Sequence, residues 1–206
     1  MYLRIFVLMN AVALAGSEVL LPCTGKKNLL AFLLRALWMN VKEGNFRMVK
    51  KLVVIMTVLL TRPLRVLLAD DDEEDRDLFR EAIDEFGTQV TLRTADNGAT
   101  LMDELTREGS ELPDLIFLDL NMPLKNGHEC LAEIYMNEKL RHIPVIIYST
   151  SSNREQIEAT YRAGASLYIP KPESFSDLQM ITRKVLSFDW KNFTRPQKDK
   201  FVLRTG

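Results

Sequence analysis

The stretch LRVLLADDD, residues 64–72, decides the fold: a nearly continuous apolar run ends abruptly in three acids. A run as short as Leu64–Ala69 reads as a buried strand of a parallel sheet. Downstream the pattern changes period. Leu78, Phe79, Ala82, Ile83 and Phe86 recur at helical spacing, and Gly87 closes that helix. Val90, Leu92 and Thr94 alternate as a strand does. A helix follows over about Ala99–Arg107, with Leu101, Met102 and Leu105 apolar. Leu115–Leu118 is again apolar and ends at Asp119. Gly127–Asn137 is expected helical, with Leu131, Ile134 and Tyr135 inward. Pro144–Tyr148 forms the fourth strand, about Arg154–Ala163 a helix, Leu167–Ile169 the fifth strand and Phe175–Leu186 the last helix. Strict alternation of strand and helix predicts an α/β three-layer sandwich, a parallel sheet with helices on both faces.

In open α/β sheets, sites lie beyond the carboxyl ends of the strands. Strand one ends in Asp70-Asp71-Asp72, strand three in Asp119 with Asn121 close behind, strand four in Ser149-Thr150 and strand five in Pro170-Lys171-Pro172. Parallel strands bring these groups to one pocket. Three carboxylates there repel one another unless something neutralises them. Lys171 is one such cation, and a hard divalent ion such as Mg²⁺ is another. A carboxylate beside both is a nucleophile toward a phosphoryl group. Each residue also has a plainer reading. Asp72–Asp75 read as a helix start, where acids favour the N-terminal dipole, with Asp72 the N-cap. A single Asp at a strand end often caps a turn, a single Lys is often merely exposed, Ser149 suits a loop hydroxyl, and Tyr168 suits a half-buried strand aromatic. Their joint order along successive strands favours the site.

The segments LRVLLADDDEEDRDLF, PDLIFLDLNMPLKNG, IPVIIYSTS and GASLYIPKP resemble the response-regulator receiver domain of two-component signalling, over about Leu64–Ser187. The resemblance implies a flavodoxin-like sheet of five strands in the order 2-1-3-4-5. It implies Asp119 as phosphoacceptor, Asp71 as direct metal ligand, Asp70 as its neighbour acting through water, and Asn121 as donor of a backbone carbonyl to Mg²⁺. Lys171 matches the lysine that pairs with the phosphoryl group, Ser149 the switch hydroxyl, and Tyr168 the aromatic that turns inward on activation. A cis Lys171–Pro172 bond is also implied, an isomer that X-Pro bonds reach cheaply. Two positions depart from the common pattern. Thr150 stands where a smaller residue is frequent and is expected to narrow access to the phosphoryl group. Pro170 stiffens the strand end and cannot donate to the ladder.

The resemblance makes the chain a single-domain response regulator. A histidine kinase or histidine phosphotransfer protein would donate the phosphoryl group, and the signal would pass by protein contact, with a homodimer through the fourth helix, fifth strand and fifth helix as one form. Beyond self-phosphorylation and autodephosphorylation it would not be an enzyme. A phosphorelay shuttle and a phosphorylation-independent binding module remain open. A haloacid-dehalogenase-type phosphatase fits poorly, because it needs a second Asp two positions after the nucleophile, where this chain has Asn121.

Composition divides the chain. Residues 1–55 carry eight Lys/Arg and two acids, a net +6, while the rest carries 19 basic and 26 acidic residues, a net −7. An acidic body does not favour nucleic acid, whose phosphates need a basic surface. The two cysteines, Cys23 and Cys130, make no disulfide framework and fit a reducing, cytoplasmic setting. His128 and His142 lie at no zinc spacing and read as ordinary loop or surface residues.

Residues 1–60 read as an apolar, basic extension. Its runs Ile5–Met9, Leu29–Leu34 and Leu52–Leu60 fall short of the roughly 20 residues that span a bilayer. Three readings stand: an over-extended start with Met56 the true initiator, a membrane-associated leader, or a cleaved signal near Ala13-Leu14-Ala15. Residues 61–190 are the expected receiver and 191–206 a tail. The tail is too short for an output domain; it reads equally as a frayed end or, through its trio Phe201-Val202-Leu203, as a segment that packs on the receiver or serves a partner.

Overall fold

The computed structural model describes residues 35–49, 51, 62–190 and 192–204. The chain forms two compact units, Met1–Arg62 and Pro63–Gly206. In the first, residues 35–42 and 46–49 are helical, with Gly44 at φ +70° between them. The three apolar runs, the candidate cleavage site and Met56 lie outside the described residues. Among the described residues no helix is long and apolar enough to cross a membrane.

In the second unit the chain runs β1 (Leu64–Ala69), α1 (Glu73–Asp84), β2 (Val90–Ala95), α2 (Gly98–Thr106), β3 (Leu115–Leu118), α3 (Gly127–Met136), β4 (Val145–Ser149), α4 (Arg154–Arg162), β5 (Leu167–Pro170) and α5 (Phe175–Leu186). All five strands are parallel, in the order β2-β1-β3-β4-β5. Successive residues of a strand face opposite sides of the sheet, so the central strands feed two cores. Leu67, Ala69, Ile116, Leu118, Val145 and Ile147 pack with α2 and α3 residues on one side. Val66, Leu68, Leu115, Phe117, Ile146 and Tyr148 pack on the other with Phe79, Ala82 and Ile83 of α1 and Leu178, Ile181 and Val185 of α5.

Three local expectations are corrected. Tyr135 does not point inward: it is 57% exposed, while the α3 core face is Gly127, Cys130, Leu131 and Ile134. One residue past Ile134 is about 100° around the helix, off the buried stripe. Its ring instead covers Gly164, where an added Cβ would meet it at 2.6 Å. Leu78 is exposed for the same angular reason, one residue before Phe79. Every described peptide bond is trans, Lys171–Pro172 included, the isomer that X-Pro bonds favour by ~0.5–1 kcal/mol.

The strands β4 and β5 extend one residue further than the periodicity predicts, pairing Ser149 with Pro170. The Lys171 N–H then donates to the Ser149 carbonyl at 2.9 Å, while Tyr168 uses its N–H and C=O on the outer side of β5. By alternation the Pro170 nitrogen also faces outward, where the missing donor costs no ladder bond.

Candidate functional site

Asp70 is the first residue past β1. Its N–H donates to the Ala95 carbonyl at 3.0 Å, and the Asp119 N–H donates to the Ala69 carbonyl at 2.9 Å. These ladder bonds hold both acids rigidly at the carboxyl edge of the sheet. Asp72 caps α1, its side chain accepting from the Glu74 and Asp75 N–H groups. Asn126 and Glu129 form a capping box that starts α3. Gly127 brings α3 against β3, since a Cβ there would meet the Asp119 carbonyl oxygen at 2.1 Å.

One carboxylate oxygen from each of Asp70, Asp71 and Asp119 lies within 4.8 Å of the others. Asp70 and Asp119 are buried, and Asp71 is exposed at the mouth. Asp119 Oδ1 accepts from the Leu120 N–H at 2.6 Å. Asp70 Oδ1 accepts from the Asp72 N–H at 3.1 Å. Asp70 Oδ2 has no directed hydrogen bond, although it lies 2.8 Å from Lys171 Nζ. That nitrogen is also 3.6 Å from Asp119 Oδ2, and it donates to Asp75 Oδ2 at 2.7 Å. It sits 5.6 Å from the centre of the Tyr148 ring.

Burial pushes the Asp70 carboxyl up to about 6, against the pull of Lys171, and the charge of Asp119 adds to the rise. Burial alone would lower the pKa of Lys171; its close ion pair with Asp70, its hydrogen bond to Asp75 and the field of Asp119 outweigh this and raise it. Tyr148, beneath the ammonium, is driven up by burial and then by the surrounding acids. A pocket of hard oxygen donors with excess negative charge, one buried oxygen lacking a directed bond, fits a divalent cation.

Beside this cluster, Ser149 is fully buried, and among the described residues its Oγ makes no hydrogen bond of good geometry. Tyr168 is fully buried too; its hydroxyl lies near Ser149 but donates to the Ser151 carbonyl at 2.7 Å. Thr150 and Asn121 are exposed, each next in the chain to a buried residue of the pocket or one step beyond it. The strand ends thus bring together Asp70, Asp71, Asp119 and Lys171. Asp75 is the addition: its sequence position reads only as a first-turn acid. The residue three after an N-cap faces back over the strand end, and that spacing was the available signal. His128 is half-buried and His142 exposed.

Residues 66–183 match the response regulator receiver domain, and the chain belongs to that family. Among its relatives, the response regulator Rcp1 of Synechocystis sp. is 33% identical over 138 residues, 65% of this chain and 94% of the relative. The structure of the Mn²⁺-bound form of Rcp1, at 33% identity, covers 65% of this chain and 99% of that one with a TM-score of 0.58. That of the phosphorylated cyanobacterial phytochrome response regulator RcpA, at 34% identity, covers 66% and 99% with a TM-score of 0.60.

Proposed function

We propose that Asp119 accepts a phosphoryl group from a phosphohistidine of a partner kinase or phosphotransfer protein, and that the chain signals in the cytoplasm by contact with another protein. The observation that carries this reading is the cluster itself: Asp119 beside two further carboxylates, with its Oδ2 3.6 Å from a buried ammonium. A carboxylate oxygen of Asp119 attacks phosphorus; the P–N bond breaks, and the imidazole leaves with the bonding pair and takes up a proton. Lys171 offsets charge on the phosphoryl oxygens and is held on aim by Asp70 and Asp75. Asp70, Asp71, Asp119 and the Asn121 carbonyl are assigned as holders of Mg²⁺. When bound, Mg²⁺ supplies positive charge to the transferring oxygens.

After transfer, the buried Ser149 hydroxyl donates to a phosphoryl oxygen, drawing the loop that follows it toward Asp119, with Tyr168 held inward beneath. Thr150, at the rim, limits water access to the acyl phosphate. Residues 61–190 are assigned as the working receiver, 1–60 as an extension to it, and the face of α4, β5 and α5 as the surface read by a partner or a second copy. Self-phosphorylation and its reversal are the only reactions assigned.

Incubation with acetyl phosphate and Mg²⁺, followed by intact mass, tests the reading. A gain of one phosphoryl group, lost in Asp119→Asn, is expected. Folded wild-type protein that gains none would refute it.

A further inference from the structure

The segment after α5 closes the open edge of β5. The Tyr168 N–H donates to the Phe201 carbonyl at 3.0 Å, and the Leu203 N–H donates to the Tyr168 carbonyl at 2.8 Å, making one parallel bridge between Tyr168 and Val202. Both outward backbone groups of the switch residue are therefore taken by the tail. Past Tyr168 the bridge gains no further bond donated by β5, because the next outward position is Pro170, which lacks an N–H.

Side chains fix the segment on both sides of the sheet. Phe201 is fully buried, its ring 5.0 Å from Tyr161 of α4 and 6.3 Å from Tyr168. Val202 joins the same core, while Leu203 crosses to the core on the α1 and α5 side. The Arg195 guanidinium lies 3.9 Å over the Tyr161 ring and 5.7 Å from Phe201, and it also donates to the Tyr161 carbonyl. Lys198 pairs with Glu158 of α4 at 2.8 Å.

We propose that this tail is a docking peptide carried by the chain itself, with Phe201 a positioning residue that holds Tyr168 inward, so that tail docking and phosphoryl acceptance at Asp119 strengthen each other. The route is short. Phe201 backs the Tyr168 ring; the inward ring places its hydroxyl on the Ser151 carbonyl; and that bond fixes the loop that begins directly after the buried Ser149 hydroxyl at the end of β4. The bistable element is Tyr168, and both sites bias it toward the same state. Linkage makes the effect reciprocal: whatever favours the inward ring tightens the tail, and a docked tail favours the phosphorylated site. A protein that reads the β5 edge must compete with residues 201–203 of this chain.

The inference rests on the phosphoacceptor reading above, and the test separates the two. Beryllofluoride, a phosphoryl mimic that needs no donor, is titrated with Mg²⁺ into the full chain, the Phe201→Ala variant and the Lys198→Ala variant. Amide exchange is followed at Tyr168 and Leu203. With wild type, beryllofluoride should slow exchange at both amides by about fivefold or more, and Phe201→Ala should weaken its binding by a similar factor while leaving Mg²⁺ affinity unchanged. Lys198→Ala removes only a part-exposed pair and opens no core cavity, so a smaller shift in the same direction guards against simple misfolding. Wild-type protein that binds beryllofluoride with unchanged exchange, and equal binding by Phe201→Ala, would overturn the coupling alone. Wild-type protein that binds none would remove the phosphoacceptor reading and the coupling with it.

Discussion

The two ends of one sheet treat acids in opposite ways. At the amino end, Arg65 of β1 meets Asp114 just ahead of β3: the Arg65 N–H donates to Asp114 Oδ2 at 2.9 Å, the Asp114 N–H returns a bond to the Arg65 carbonyl at 2.8 Å, and the guanidinium reaches Glu111 at 3.0 Å. Those acids are matched by a base and partly solvated. At the carboxyl end, Asp70, Asp75 and Asp119 gather around the ammonium of Lys171, with Asp71 beside Asp70 and Asp119 at the mouth and Asp70 and Asp119 buried. The same residue types tie strands together at one end and hold an unbalanced charge at the other. An unbalanced pocket costs stability and leaves affinity for a cation.

The contrast breaks most sharply at Lys171. Lys171→Met should leave buried carboxylates with no counter-charge and lower stability by about 3–5 kcal/mol in metal-free urea unfolding, with Mg²⁺ restoring part of the loss. A change within error would mean that the ammonium does not hold the pocket together.

Asp70→Asn should act in the other direction. The folded-state value of about 6 lies above the ordinary 3.8, so between them the folded chain binds more protons than the unfolded one. Wild-type stability therefore falls as pH rises from about 4 to about 6 and stays lowered above that, by an amount on the order of 2–3 kcal/mol without metal. The Asn side chain does not titrate, so the gain from substitution should be small at pH 4 and full at pH 7. Thermal unfolding of both proteins across that range checks it; a gain independent of pH would point to packing instead. Because a metal needs the carboxylate form, Mg²⁺ affinity of the wild type should weaken below about pH 6, as titration calorimetry would show.

The smallest effect belongs to the balanced end. Arg65→Ala should cost at most about 1 kcal/mol and leave Mg²⁺ affinity unchanged, because its pairs are partly exposed and screened. A loss as large as that at Lys171 would erase the distinction between the ends.

Much of this was legible in the sequence. The alternation of Leu64–Ala69, Leu115–Leu118 and Val145–Ser149 with amphipathic helices specifies the parallel sheet, and Asp70, Asp71, Asp119 and Lys171 stand where such strands end. Burial period is local chemistry, readable one segment at a time. Tyr135 and Leu78 show the limit of that reading, because one residue along a helix turns an apolar side chain off the core stripe.

By itself the sequence determined the elements, their buried faces and the acids at their ends, since these follow from backbone geometry and transfer out of water. Only the tertiary structure decided which polar residues meet. Asp75 looks like any acid of a first helical turn until β5 brings Lys171 within 2.7 Å of it. Phe201 looks like part of a loose tail until the free edge of β5 offers Tyr168 two unpaired backbone groups and a ring to cover. Strand order and register set those encounters, and both arise from the packing of the whole sheet rather than from any one segment.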